Sequence, residues 1–180
     1  MVRFARGDGA AFEVLYRRHE TRVFRFLLRT LHDEAGANDV MQDVWFAVAR
    51  GADRYTPTAK FTTWLFTIAH HRMVDAIRAR RPTEVMDLNA ESGEAPVLDL
   101  PPADARTEPL TALQIEDQAA AVLRAVEQLP VEQRSAFLLQ AEGGLSVEEV
   151  AAATGTSFET AKSRLRYARA KLREWLWEFA

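Results

Sequence analysis

The chain has 180 residues, 48% of them hydrophobic and 27% charged, which suits one or two small folded domains and excludes a disordered protein. It contains no cysteine, which excludes a disulfide scaffold and thiolate metal sites. No apolar run reaches the ~18 residues of a membrane helix and no signal-peptide core follows the first Met, so we expect a cytoplasmic protein without membrane insertion.

Charge divides the chain into three segments. Residues 1–81 hold 14 Lys and Arg against 9 Asp and Glu, residues 82–113 hold 1 against 7, and residues 114–180 hold 8 against 10. The middle segment also contains five prolines, so we expect a flexible acidic linker there and not a compact unit. Two small domains, 1–81 and 114–180, should flank this linker.

Helical periodicity dominates residues 1–81, and the sequence shows no strand alternation of useful length. Apolar residues recur at helical spacing from Phe12 to Leu31, and His19 lies on the same stripe. A histidine in such a stripe is more often part of a core than a ligand. We therefore assign His19 to the core and predict an all-α fold.

Two further helices are expected in the first domain. Asn38 is the expected N-cap of one of them. The segment 51–60 contains Gly, Pro and small polar residues and predicts a loop. The other helix begins near Phe61 and ends at Pro82, because proline cannot continue a helix.

The first of these two helices has an acidic face opposite its apolar stripe. Asp39, Gln42, Asp43 and Phe46 lie at positions i, i+3, i+4 and i+7, so they share one side. An acidic face with a projecting aromatic is either a protein-docking surface or a solvated face with one stray aromatic.

The second of these helices has a face that mixes aromatic, polar and basic residues beside the predicted loop. Such a face suits stacking on unpaired bases, with Trp64 alternatively belonging to the core. Its members are Trp64, Thr67, His71, Asp75 and Arg78.

Residues 114–180 predict four short helices. Breaks are expected at Pro130, at the pair Gly143 and Gly144, and at Gly155. A helix, a tight glycine turn and a second helix form the layout of a helix-turn-helix.

Start signals mark the two helices of this predicted helix-turn-helix. Ser146 with Glu149 has the spacing of a capping box, and Thr156 with Glu159 has the same spacing. At the end of the chain, Trp175 and Trp177 lie on alternate sides of the last helix. They either complete a small core, or one of them meets a partner.

The last helix carries a basic stretch, residues 160–173, with six cations and no acid. An apolar stripe through Ala161, Leu165, Ala168 and Leu172 should face the core. Polar residues project from the opposite side while cations line both edges, as a recognition helix requires to reach base edges and neutralise phosphates. A solvated surface face is the alternative, but the capped helix and glycine turn in front of it favour DNA binding.

Three segments in this order give the chain a resemblance, over nearly its whole length, to the extracytoplasmic-function sigma factors of bacterial RNA polymerase. "ANDVMQDVWFAV" resembles the acidic motif that docks the polymerase clamp. "FTTWLFTIAHHRMVDAIRARR" resembles the segment that melts and reads the −10 promoter element. "LPVEQRSAFLLQAEGGLSVEEVAAATGTSFETAKSRLRYARAKL" resembles the domain that reads the −35 element and binds the flap of the β subunit.

The resemblance implies a role for individual residues. His71 stands where the family usually has Asn, Tyr167 where Arg is common, and Ala161 where Val is common. The implied core-polymerase contacts are Asp39, Gln42, Asp43 and Phe46; the implied −10 face is Phe61, Trp64, Thr67, His71, Asp75 and Arg78; the implied −35 reader is Glu159, Thr160, Lys162, Ser163, Arg164, Arg166, Tyr167 and Arg169.

The resemblance also implies a set of partners. They are core RNA polymerase, through its β′ clamp and β flap, promoter DNA, and an anti-sigma factor that holds the chain inactive. The linker would thread the polymerase cleft, and the free chain would be a monomer. No cofactor, metal or catalytic residue is implied.

Two other functions can be weighed against a sigma factor: a stand-alone DNA-binding regulator and an enzyme. A stand-alone helix-turn-helix regulator would leave the acidic face and linker unused, and such proteins usually dimerise; tight binding of duplex promoter DNA by the purified chain would identify one. An enzyme finds little support, because His70 and His71 are adjacent and cannot face one ligand from a helix. The sequence contains no HExxH, P-loop, Rossmann glycine pattern or nucleophile elbow.

Overall fold

A computed structural model describes residues 1–80 and 112–177 of the chain. All regular structure in these two ranges is helical, which confirms the predicted all-α fold. No helix in the described ranges has the length and apolarity to cross a membrane. The α-helices are α1 (Val2–Ala5), α2 (Gly9–Leu31), α3 (Glu34–Arg50), α4 (Phe61–Arg80), α5 (Ala112–Gln128), α6 (Val131–Ala141), α7 (Val147–Thr154) and α8 (Phe158–Trp177).

The predicted boundaries between domains fall partly outside the described residues. The linker expected over 82–113 lies outside them as far as residue 111, and α5 begins at Ala112. Phe179 also lies outside the described residues. The predicted loop 51–60 contains a short 3₁₀ turn, Ala52–Arg54.

The N-terminal domain is built from α2, α3 and α4, which pack their apolar stripes against one another. Phe26 of α2 and Phe66 of α4 meet edge to face with ring centroids 5.7 Å apart, and Val44 of α3 is fully buried beside them. His19 is 8% exposed, so its assignment to the core is confirmed.

The start of α3 differs from the prediction. Asp33 occupies the N-cap position in extended conformation, and the helix begins at Glu34. Asn38 lies one turn inside the helix, where its amide donates to the carbonyl of Glu34 at 3.0 Å. The predicted cap is therefore wrong: Asp33 holds the N-cap position without a side-chain capping hydrogen bond, and its carboxylate pairs with Arg80, 2.7 Å away.

The C-terminal domain contains the four predicted helices, α5 to α8, with α7 and α8 as the helix-turn-helix. The capping box at α7 is confirmed, since Ser146 Oγ accepts from the Glu149 N–H at 3.2 Å and Glu149 Oε2 accepts from the Ser146 N–H at 2.8 Å. Gly155 ends α7 with φ +65°, a left-handed conformation that favours glycine.

The cap of α8 is shifted by one residue from the prediction. The N–H of Thr160 donates to Ser157 Oγ at 3.1 Å, so Ser157 and not Thr156 supplies the capping oxygen. Thr156 instead shares a hydrogen bond with the hydroxyl of Thr154, 2.9 Å away. The predicted core stripe of α8 is confirmed, since all four members are at most 6% exposed: Ala161, Leu165, Ala168 and Leu172.

The two domains pack against each other, which the sequence did not lead us to expect. α4 contacts α7, and α2 contacts α5 and α6, so that one apolar cluster continues through both domains. Gly143 allows a close approach of the domains, because a Cβ at this position would lie 3.0 Å from Cγ of Phe66 in the other domain.

Candidate polymerase and nucleic-acid interfaces

The acidic face predicted on α3 is fully solvated. Asp39, Gln42 and Asp43 are exposed, and Phe46 is 64% exposed, the highest value among the large apolar side chains described. The opposite side of the helix is buried in the core. The structure therefore presents an aromatic ring beside carboxylates, a combination that can enter an apolar pocket rimmed by cations on a partner.

Packing beneath α3 fixes the direction of this face. The ring of Trp45 lies 4.9 Å from that of Tyr16 and 5.8 Å from that of Phe12, measured between centroids. At the start of the helix, the ion pair of Asp33 with Arg80 ties α3 to the end of α4. The face thus belongs to a rigid element.

An aromatic cluster lies at the start of α4. The rings of Phe61 and Trp64 are 5.9 Å apart, and Tyr55 adds a third ring 5.0 Å from Trp64. His19 of α2 lies below the cluster, 5.4 Å from Phe61. All three aromatic rings are half-buried, so each supports its neighbour and keeps an edge or face toward solvent.

Tyr55 is a member of this cluster that the sequence analysis missed. It follows the 3₁₀ turn, which is anchored by the buried Ala52. The available signal was an aromatic residue inside a Gly- and Pro-containing loop directly before an aromatic helix start. Three adjacent rings form a platform on which an unstacked base can lie.

The remaining residues of the predicted −10 face continue along α4. His71, Asp75 and Arg78 are exposed on the same side of the helix. Thr67 is half-buried, and its hydroxyl donates to the carbonyl of Thr63 at 2.8 Å. The structure therefore brings the predicted set onto one continuous surface, with aromatic rings at one end and charged groups at the other.

The predicted reading face of α8 is largely solvated. The guanidinium of Arg166 stacks over the ring of Tyr167 at 5.1 Å, and Lys162 Nζ lies 5.8 Å from the ring centre of Phe158. These contacts extend two cations away from the helix while limiting their rotamers. The exposed members are Glu159, Lys162, Arg166 and Arg169; the half-buried members are Thr160, Ser163 and Tyr167.

Arg164 is the member of the predicted −35 reader that the structure buries. It is 3% exposed, and burial lowers the pKa of its guanidinium against the opposing effect of Glu132. Its charge also acts on His70 of α4. In this arrangement Arg164 belongs to the contact between the domains and is not presented to solvent.

Both domains match known sigma-factor families. Residues 15–83 match the family model of sigma-70 region 2, and residues 119–172 match that of sigma-70 region 4. The first match contains α3 and α4 with their acidic and aromatic faces. The second contains the helix-turn-helix.

Similarity to individual proteins extends over almost the whole chain. RNA polymerase sigma factor CarQ of Myxococcus xanthus is 34% identical over 178 residues, covering 99% of this chain and 96% of CarQ. ECF RNA polymerase sigma factor SigM of Mycobacterium tuberculosis is 34% identical over 168 residues, covering 92% of this chain and 77% of SigM.

A solved structure shows the same fold. It is the sigma factor RpoE in complex with the anti-sigma factor NepR from Bartonella quintana, with a TM-score of 0.65 and 26% sequence identity. The match covers 92% of this chain and 96% of the matched chain. The likeness therefore includes both domains.

Proposed function

Because this chain belongs to the extracytoplasmic-function sigma factors, alternative specificity subunits of bacterial RNA polymerase, we propose that α3 docks core polymerase while α4 and α8 read the promoter. Sigma factors are transcription initiation factors and are not themselves catalysts. The observation that supports the proposal is that one chain presents two surfaces of unlike chemistry. One is an aromatic platform suited to unstacked bases, and the other is a basic helix suited to a duplex groove.

The polymerase contact is proposed for the acidic face of α3. Asp39 and Asp43 supply negative charge, Gln42 supplies a hydrogen-bonding amide, and Phe46 supplies apolar area. The proposed receptor is the β′ clamp. The flap of the β subunit is the proposed receptor of the C-terminal domain.

Melted −10 bases are proposed to meet α4. An extruded base would stack on the cluster of Tyr55, Phe61 and Trp64, while His71 and Asp75 read its polar edges and Arg78 meets the backbone. Removing a base from the stack costs a few kcal/mol, and stacking on aromatic rings contributes about 1–3 kcal/mol per base. Melting is thus coupled to capture without any chemical step.

The −35 element is proposed to receive α8 in its major groove. Arg166 is the main candidate for a base contact, since arginine pairs bidentately with guanine and the Tyr167 ring orients its guanidinium. Lys162 and Arg169 are seven residues apart, so they share one edge of the helix, where they are placed to neutralise phosphates.

An anti-sigma factor is the proposed regulatory partner. The support is the structural likeness to RpoE, which was solved in complex with the anti-sigma factor NepR. Such a partner would hold the chain away from core polymerase until a signal releases it.

Charge reversal on α3 tests the docking proposal. Asp43→Lys should weaken capture of core polymerase by about 2–5 kcal/mol if the carboxylate enters a desolvated charge pair. Affinity capture on the immobilised full chain, with helicity followed by circular dichroism, measures the loss. Glu13→Lys makes the same charge change at an exposed site on α2 and should capture polymerase normally. Undiminished capture by Asp43→Lys would place the docking surface elsewhere.

A further inference from the structure

A buried carboxylate joins the two domains. Glu142, directly after α6, is 5% exposed. Its Oε2 accepts from Arg25 Nε at 3.2 Å and Nη2 at 2.9 Å, and its Oε1 accepts from Arg29 Nη1 at 2.6 Å. Both arginines belong to α2 of the other domain. A carboxylate at this depth is stable only while such cations are paired with it.

A second contact lies between α4 and α7. Glu149 Oε1 accepts from the hydroxyl of Thr63 at 2.8 Å, while its other oxygen caps α7 through the Ser146 N–H. Beside this pair, Gly143 lets the chain lie against the ring of Phe66. Glu149 thus stabilises both the start of α7 and the contact of α7 with α4.

A third contact places two cationic side chains of the C-terminal domain against the N-terminal domain. The charge of Arg164 lowers the pKa of His70, and His70 hydrogen-bonds to the backbone of Ala153 in α7. Arg134, on α6, contacts the ring of His32, just after α2. The contact between the domains therefore combines ion pairs, neutral hydrogen bonds and apolar packing.

In this arrangement the helices proposed to read the two promoter elements lie too close together to contact both elements at once. Elements at −10 and −35 are centred about 25 base pairs apart, roughly 85 Å at ~3.4 Å per pair. Here α7 touches α4, and α8, which directly follows α7, is only about 30 Å long at ~1.5 Å per residue. In a helix-turn-helix the first helix also crosses the DNA backbone, and in this chain that helix is α7, one side of which packs on α4.

We propose that the N-terminal domain carries a receptor surface for the chain's own C-terminal domain, and that seating Glu142 between Arg25 and Arg29 locks the free chain closed. The lock needs no second protein, and it must open before α4 and α8 can be placed on their separate elements. The closure itself follows from the contacts alone. Its consequence for promoter reading rests on the proposed function.

Distances between the domains in the free chain test the lock. The natural chain has no cysteine, so Val14→Cys on α2 and Ala152→Cys on α7, both exposed, give unique positions for a pair of spin labels. Pulsed electron paramagnetic resonance should show one short, narrow distance distribution. Glu142→Lys places a third cation against two arginines and should shift most of the population to longer, broader distances.

Two comparisons make the result specific. Glu174→Lys makes the same charge change in the same domain at an exposed site, where Glu174 pairs with nearby Lys171, and should leave the short distance unchanged. Exchanging the charges, with Arg25→Glu and Arg29→Glu combined with Glu142→Arg, should restore it. If Glu142→Lys alone loses helicity, the charge-exchanged variant still tests the lock, because it keeps an ion pair of reversed sign at the same site.

The lock is overturned if the labelled Val14→Cys, Ala152→Cys chain already gives long, broad distances without further substitution. It is also overturned if Glu142→Lys and the uncompensated Arg25→Glu, Arg29→Glu pair both keep the short distance. Transcription by the labelled variants with core polymerase separates this result from the proposed function. A chain that closes as described but never supports promoter-specific transcription retains the lock and loses the function. A chain that supports transcription but is open when free retains the proposed function and loses the lock.

Discussion

His70 shows how the surroundings set the charge of one side chain. Burial lowers its pKa to about 4, and the neighbouring charges of His71 and Arg164 act in the same direction, against a hydrogen bond to the backbone of Ala153. The imidazole is therefore neutral in the closed chain at neutral pH. It lies between α4 and α7, so protonation penalises the contact between the domains as well as the core.

Stability should consequently depend on pH between about 4 and 6.5. In this window the unfolded state, with an ordinary histidine pKa of 6.5, binds a proton that folded His70 does not. The free energy of unfolding is therefore not reduced by this group above pH 6.5. It falls by up to roughly 3 kcal/mol as the pH is lowered to 4. The pKa values of His19 and His32 are also lowered, mainly by burial, and add to the trend.

Denaturant unfolding at several pH values measures this dependence. His70→Gln should reduce the slope between pH 4 and 6.5. His71→Gln, which removes only a neighbouring charge, should reduce it much less, because burial is the main cause of the lowered pKa of His70. An unaltered slope in His70→Gln would contradict a buried neutral imidazole at this position.

Arg166 provides the test of direct base reading. Arg166→Ala should lose about 1–3 kcal/mol of promoter binding by the holoenzyme and relax preference at one base pair of the −35 element. Lys171→Ala is the matched control, because this exposed cation, farther along α8, should affect all sequences equally and mainly alter salt dependence. Binding to a promoter library at two salt concentrations measures both effects. If Arg166→Ala weakens every sequence alike, Arg166 contacts phosphate and not a base.

At the scale of helices, the sequence predicted which elements form better than where they begin. Periodicity located α2, α4 and the helix-turn-helix, because a buried stripe repeats over many residues and one atypical residue does not hide the pattern. Helix starts depend on one or two local contacts. Ser157 replaced the expected cap of α8 through one local hydrogen bond, and Asp33 took the N-cap position of α3, where it pairs with Arg80 of α4. Tyr55 joined the site through a loop conformation that has no periodic signal.

The cap of α7 predicts a measurable loss of stability. Ser146→Ala removes the oxygen that accepts from the Glu149 N–H and should destabilise the chain by about 1 kcal/mol. Thr156→Ala is the control, since Thr156 does not supply the cap of α8 and should change stability less. Chemical denaturation of the full chain compares the two variants. A larger loss for Thr156→Ala would mean that α8 uses the originally expected cap.

At the scale of the whole molecule, the residues that assemble the domains are inconspicuous in the sequence. Glu142 stands in a glycine turn, and Arg25 and Arg29 belong to a helix with many arginines, so nothing marks them as partners more than 100 residues apart. The uneven charge of the three segments was visible in the sequence, and so were the exposed residues of the two proposed reading faces. The burial of Arg164 was not, because it results from the position of one domain on the other.

Run-off transcription from genomic fragments, with start sites mapped by sequencing, tests the central claim most directly. The account predicts that core polymerase and this chain together, but neither alone, initiate at defined positions preceded by shared sequences near −10 and −35. If the mixture gives no specific starts, and the purified chain alone binds duplex sites tightly, the protein is a stand-alone regulator and the account is contradicted.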